Sequence, residues 1–95
     1  MNKFEGNDGK VVFFDLEEVK HSYPIGTLKL EVKIYPPAPG SYSSFIYTEV
    51  SASYIESIFE KIAEHFLNDH KNSYSSKEIS DILSKYVMPL FPQEV

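Results

Sequence analysis

The chain has no cysteine, which excludes disulfides and thiolate metal ligands. It also has no arginine. All nine basic residues are lysine, which meets phosphate as a point charge and lacks the bidentate fork suited to phosphate and guanine. Fourteen carboxylates outnumber them and leave a formal charge of −5 at pH 7, a balance that argues against direct nucleic-acid binding. Tryptophan is absent, and only four glycines occur, too few to favour a loop that cradles phosphate. No apolar run approaches the ~18 residues needed to cross a bilayer, and residues 1–9 lack the hydrophobic core of a signal peptide. The expectation is a cytoplasmic protein that makes no membrane contact.

What is present describes one small folded domain. Residues 1–95 are enough for a single core with a stability of ~5–10 kcal/mol. The hydrophobic fraction, 42%, is too high for a disordered chain. Residues 1–9 read as a polar lead-in closed by the turn Gly6-Asn7-Asp8-Gly9. Lys10 to Asp15, with Val11, Val12, Phe13 and Phe14, has the β-branched and aromatic content of a first strand. Residues 16–22 fit either an extension of that strand or a turn, and Tyr23-Pro24-Ile25-Gly26 signals a turn.

Thr27 to Tyr35 alternates strictly. Leu28, Leu30, Val32 and Ile34 face one way while Lys29, Glu31 and Lys33 face the other, as in a half-buried antiparallel strand. Pro36-Pro37-Ala38-Pro39-Gly40 stops it with a stiff loop, and Ser44 to Val50 reads as a third strand. From Ser53 the period becomes helical. Ser53 and Glu56 fit a capping box, and Ile55, Ile58, Phe59, Ile62, Ala63, Phe66 and Leu67 form an apolar stripe to about Asp69. A second capping box, Ser75 with Glu78, opens a helix with the stripe Ile79, Ile82, Leu83, Tyr86 and Val87, ended by Pro89 ahead of a proline-containing tail, 88–95. The predicted fold class is α+β: a three-stranded antiparallel meander followed by two α-helices packed on one face, βββαα.

Candidate chemistry is sparse. His65 and Asp69 stand one helical turn apart, but His70 is rotated roughly 140° from His65, so two ligands are all the helix offers a metal. Histidines in a last helical turn are explained by the helix dipole. His21 lies among Glu17, Glu18 and serines without a nucleophile elbow or a paired-histidine motif. The expectation is no enzyme activity, no catalytic residue, no cofactor and no bound metal, a small hydrolase using His21 or His65 being the last alternative.

Two surface features point to binding instead. Glu56, Glu60 and Glu64 recur at i, i+4 along one helix face, a spacing at which like charges repel unless something cationic meets them. With Glu17, Glu18 and Glu49 added, the stripe could imitate a phosphate backbone. The sheet is also too apolar for a meander with one wet face, since Val11 and Phe13 oppose Val12 and Phe14, and Phe45 and Tyr47 oppose Ile46 and Val50. The reading is an acidic inhibitor or adaptor whose partner is another protein with a basic or nucleic-acid-binding surface. A homodimer through Phe13, Phe45 and Tyr47 is expected with it. An obligate oligomeric assembly subunit is the alternative. The absence of arginine and tryptophan beside many Lys, Asn, Ile, Tyr and Phe suits an AT-rich genome. In size, acidity and that bias the chain resembles phage-encoded inhibitors and bacterial immunity proteins in general character, with no motif carrying the likeness.

Overall fold

The computed structural model describes residues 2–21, 23–35, 41–48, 50–69, 71 and 73–87. Four strands form one antiparallel sheet, β1 (Asn2–Glu5), β2 (Val11–Glu18), β3 (Leu28–Tyr35) and β4 (Ser41–Tyr47), in spatial order β1-β2-β3-β4. Three helices follow: α1 (Ala52–Ser57), α2 (Phe59–Leu67) and α3 (Ser76–Ser84). The α+β meander with helices after strands is as expected. The lead-in, however, is a fourth strand, and the first predicted helix is two.

Register explains why each strand exists. Val12 and Phe14 of β2 sit beside Ile34 and Val32 of β3 on the helix-covered side, where all four are buried. Residues one position over, Val11 and Phe13, pair with Tyr35 and Lys33 on the other side. β1 contributes Phe4 opposite Val12, which brings its ring edge-on to Phe14 at 5.8 Å. On β4, Ser41, Ser43, Phe45 and Tyr47 face the helices, and Tyr42, Ser44 and Ile46 face away. The small Ser41 lets the segment before α3 come close, and its Oγ accepts from the Tyr74 N–H at 2.8 Å. β4 thus starts and ends three residues earlier than the predicted third strand, at Tyr47 instead of Val50. Val50 lies beyond it, buried at the entry to α1.

Gly9 and Gly26 have φ of 89° and 90°, and each serves a turn between strands. In the second turn the Thr27 N–H donates to Pro24 O, and Gly26 occupies the third position, where positive φ is required. The predicted proline-rich loop 36–40 and tail 88–95 lie outside the described residues.

The N-cap of α1 is Ser51, whose side chain accepts from the Tyr54 N–H; the predicted Ser53–Glu56 box does not form. Ser51 wins because its register puts the buried Val50 just before the cap and the buried Ile55 four residues after it, the spacing of a hydrophobic staple. A cap at Ser53 would put Ala52 and Ser57, both exposed, in those places. The helix then breaks at Ile58, φ −110° and ψ 5°. Ser57 Oγ donates to Tyr54 O at 2.6 Å, and the Ile58 N–H bonds Ile55 O instead. A serine that back-bonds to the preceding turn competes for the ladder and bends a helix. The α3 box is as predicted: Ser75 accepts from the Glu78 N–H, and Glu78 accepts from the Ser75 N–H. It carries its own staple pair, buried Tyr74 and Ile79.

The core lies between sheet and helices. Phe14 stacks on Phe59 with centroids 4.6 Å apart and planes 5° from parallel. Leu30, Val32, Ile55, Ile62, Phe66, Ile79 and Leu83 complete it. At one end the Lys10 side chain, 5% exposed, runs inward and donates to the carbonyls of Phe66 and Asp69. It closes the C-terminus of α2, whose last carbonyls have no partner within the helix.

Candidate interaction surfaces

The strand register divides the predicted site residues between opposite sides of the molecule. Glu56 on α1 and Glu60 and Glu64 on α2 are all exposed on the helical layer, with the break at Ile58 between Glu56 and the other two. None of the three is in an ion pair among the described residues. Glu5, Glu17, Glu31, Glu78 and Asp81 each have a lysine partner. Glu64 continues the acidic surface into a concavity of about 430 Å3 between the β1–β2 turn and the end of α2, where Glu5, Asp8 and Asp69 also line the wall.

Glu17 and Glu18 do not extend that stripe. Glu17 lies on the far side of the sheet with its carboxylate 3.5 Å from Lys29 Nζ. Glu18 accepts from the Gly26 N–H at 3.3 Å. Each is occupied locally. Glu49 lies outside the described residues.

The aromatic set predicted for self-association is divided as well. Phe13 is half-buried on the side of the sheet away from the helices, whereas Phe45 and Tyr47 pack against the core on the helix side. The three share no surface. Burial pushes the Tyr47 phenol up to about 12. The residues that do accompany Phe13 are Tyr35, Tyr42, Lys33, Glu31 and Asp15, around a shallow depression of about 290 Å3. Phe13 meets Tyr35 edge-on at 5.9 Å, and the Lys33 ammonium lies 5.8 Å from the Tyr35 ring centroid. Tyr42 is 52% exposed and Ile46 42%.

Charges on this open face are ordered. Glu31 accepts from Lys29 at 3.2 Å and from the Tyr42 hydroxyl at 3.1 Å. The Lys29 bond, then the Tyr42 bond, hold the Glu31 carboxyl below the usual carboxylate range, and Glu31 in turn raises both Lys29 and Tyr42. The alternation of β3 announced Lys29, Glu31 and Lys33 as a wet face. What it could not show is which β2 and β4 residues stand beside them, since that depends on register across two turns.

His65 is tied into packing. Its Nδ1 lies 2.8 Å from the Tyr86 hydroxyl, and the rings meet edge-on at 5.7 Å. His21 is exposed just beyond β2, and His70 lies outside the described residues. Among the described residues no three His, Asp or Glu side chains are grouped to hold a metal ion. No helix there is long and apolar enough to cross a membrane. No protein-family model matches the chain, and neither does any curated protein or solved structure.

Proposed function

We propose that the chain is a non-catalytic acidic protein-binding module, an inhibitor or adaptor, that docks a basic surface of its partner through Glu56, Glu60 and Glu64. One observation carries this reading. These three carboxylates are exposed and in no ion pair among the described residues, while five other acids there each have a lysine partner. Repulsion between Glu60 and Glu64, at i, i+4 on α2, costs a few tenths of a kcal/mol, and a cationic partner turns that cost into attraction. The concavity beside Glu64 extends the same field with Glu5, Asp8 and Asp69. The partner class that fits is a protein with a lysine- or arginine-rich surface, as nucleic-acid-processing enzymes have.

The test is site-specific photo-crosslinking in the producing cells, with the reactive group at position 60 and a control at the exposed position 77 on α3. The proposal expects one basic protein captured at position 60 and absent at 77, with capture lost on Glu64→Lys. Identical adducts at both positions, or capture indifferent to Glu64→Lys, would sink it.

A further inference from the structure

We propose that the open sheet face is a twofold interface between two copies of this chain. The inference is independent of the helical carboxylates, which lie on the other side of the sheet. It rests on the way charge is laid out in rows across the strands. One row places Phe13, Lys33 and Tyr42 side by side on β2, β3 and β4; the next, two residues along, places Asp15, Glu31 and Ser44.

A basic and aromatic row therefore adjoins an acidic one, and within the acidic row Asp15 and Glu31 are direct cross-strand partners. Like charges in that position repel. Lys29 reaches Glu31 from the neighbouring row, and Asp15 is in no ion pair among the described residues. Lys33, one row away, is likewise in none among the described residues. The face thus holds, about 7 Å apart along the strand, two adjacent carboxylates served by one lysine and a second lysine whose described contact is the Tyr35 ring and no carboxylate.

A twofold axis in the plane of contact, perpendicular to the strands and midway between these rows, matches them. It reverses strand direction and keeps strand order, so β3 lies over β3 of the second copy. Lys33 of each copy then stands over Glu31 of the other, with Asp15 of the other copy one strand away. The same rotation carries Lys29 over the Tyr35 ring of the second copy, a cation–π placement. Two sheets stacked this way keep their strands within about 30° of each other, the ordinary geometry of a β-sandwich. Phe13, Tyr42 and Ile46 supply the apolar area.

The axis leaves β1 outside the overlap, so three strands ~4.8 Å apart and about six residues long make a face of roughly 14 by 20 Å. Counted over both copies, such a face lies at or below the lower limit of specific interfaces, so the dimer is expected to be weak and to form only at high protein concentration.

A charge exchange tests the axis itself. Sedimentation equilibrium on the wild type up to about 300 µM should show a monomer–dimer equilibrium. Lys33→Glu or Glu31→Lys alone should weaken it at least ~tenfold, because each sets like charges together twice. An equimolar mixture of the two variants should restore it, because both cross-copy pairs are then opposite in sign. A wild type that stays monomeric, reversals that leave association unchanged, or a mixture no tighter than its components would overturn the proposal.

A second measurement leaves Lys33 and Glu31 intact. The chain has no cysteine, so Ser44→Cys carries a single nitroxide, mixed with an isotope-labelled unmodified copy. Amide signals of the labelled copy should broaden along β2 to β4 and stay sharp along α1 to α3. Broadening on the helices, or none at all, would overturn it.

Discussion

Lys10 and Phe66, 56 residues apart in sequence, are joined by a buried 2.8 Å hydrogen bond from the lysine ammonium to the main-chain carbonyl. The same Nζ donates to Asp69 O at 2.7 Å, so a residue at the entry to β2 holds the end of α2. Lys10→Met keeps the aliphatic stem and removes the donor, leaving Asp69 O without its partner, while Phe66 O retains the Asp69 N–H at 3.3 Å and the Tyr74 hydroxyl at 3.5 Å. The expected loss of stability is ~2–4 kcal/mol by urea denaturation, since bonds to charged groups contribute ~1.5–3 kcal/mol each and a buried orphan acceptor costs more than its bond returns. A loss under ~0.5 kcal/mol would mean that water takes the place of the ammonium.

The two serines before α1 can be told apart. Ser51 accepts from the Tyr54 N–H at 3.1 Å, while Ser53 lies within the first turn. Ser51→Ala should therefore destabilise by ~1 kcal/mol. Ser53→Ala should change stability by no more than ~0.5 kcal/mol in either direction. Equal losses measured by thermal or urea unfolding would return the cap to Ser53.

Phe13 and Phe14 are neighbours in sequence on opposite sides of the sheet. Phe14→Ala opens a cavity against Phe59 and Phe4 and should cost ~3–5 kcal/mol. Phe13→Ala, at a half-buried site on the open face, should cost about 1 kcal/mol or less in the monomer. Ile62→Ala, fully buried on α2, should cost ~2–4 kcal/mol. Inverted values for the two phenylalanines would shift β2 by one residue.

Alkaline pH should weaken the fold through Tyr47. Its phenol is raised to about 12 by burial, against a value near 10 in the unfolded chain. The folded state therefore holds the proton longer, so the contribution is complete below pH ~10 and is lost as pH rises from ~10 to about 12. Tyr74, raised chiefly by burial, adds to the same loss. Tyr47→Phe should flatten the fall in stability over that window, measured by urea midpoints at successive pH values. An unchanged slope would mean that Tyr47 ionises freely in the native state.

How far these features could be read beforehand depended on whether their causes were local. The alternation of β3 and the Ser75–Glu78 box are properties of short segments, and both stand in the structure as the residues imply. β1 has a single apolar residue, Phe4, in four, so its strand character comes from pairing with β2 and not from its own pattern. The apolar stripe of α1 and α2 was visible, but the break at Ile58 turns on one hydroxyl of Ser57 taking a carbonyl from the ladder. Lys10 read as the first residue of a strand, and nothing local marks its role because the carbonyls it serves come from another layer. The phase of β4 was the costliest gap. Alternation separates Phe45 and Tyr47 from Ile46, yet only the register with β3 decides which set meets the helices.

Each strand of the meander pairs with the one made just before it, so the sheet can close as the chain leaves the ribosome. Its apolar side cannot. Val12, Phe14, Leu30, Val32 and Ile34 await Phe59, Ile62 and Phe66 of α2 and then Ile79 and Leu83 of α3. At ~5–20 residues per second, the stretch from Phe59 to Leu83 takes on the order of 1–5 s to make. Until those helices are made, the apolar side of the sheet has no cover from its own chain, and the Lys10 ammonium has neither of the carbonyls that it meets in the fold.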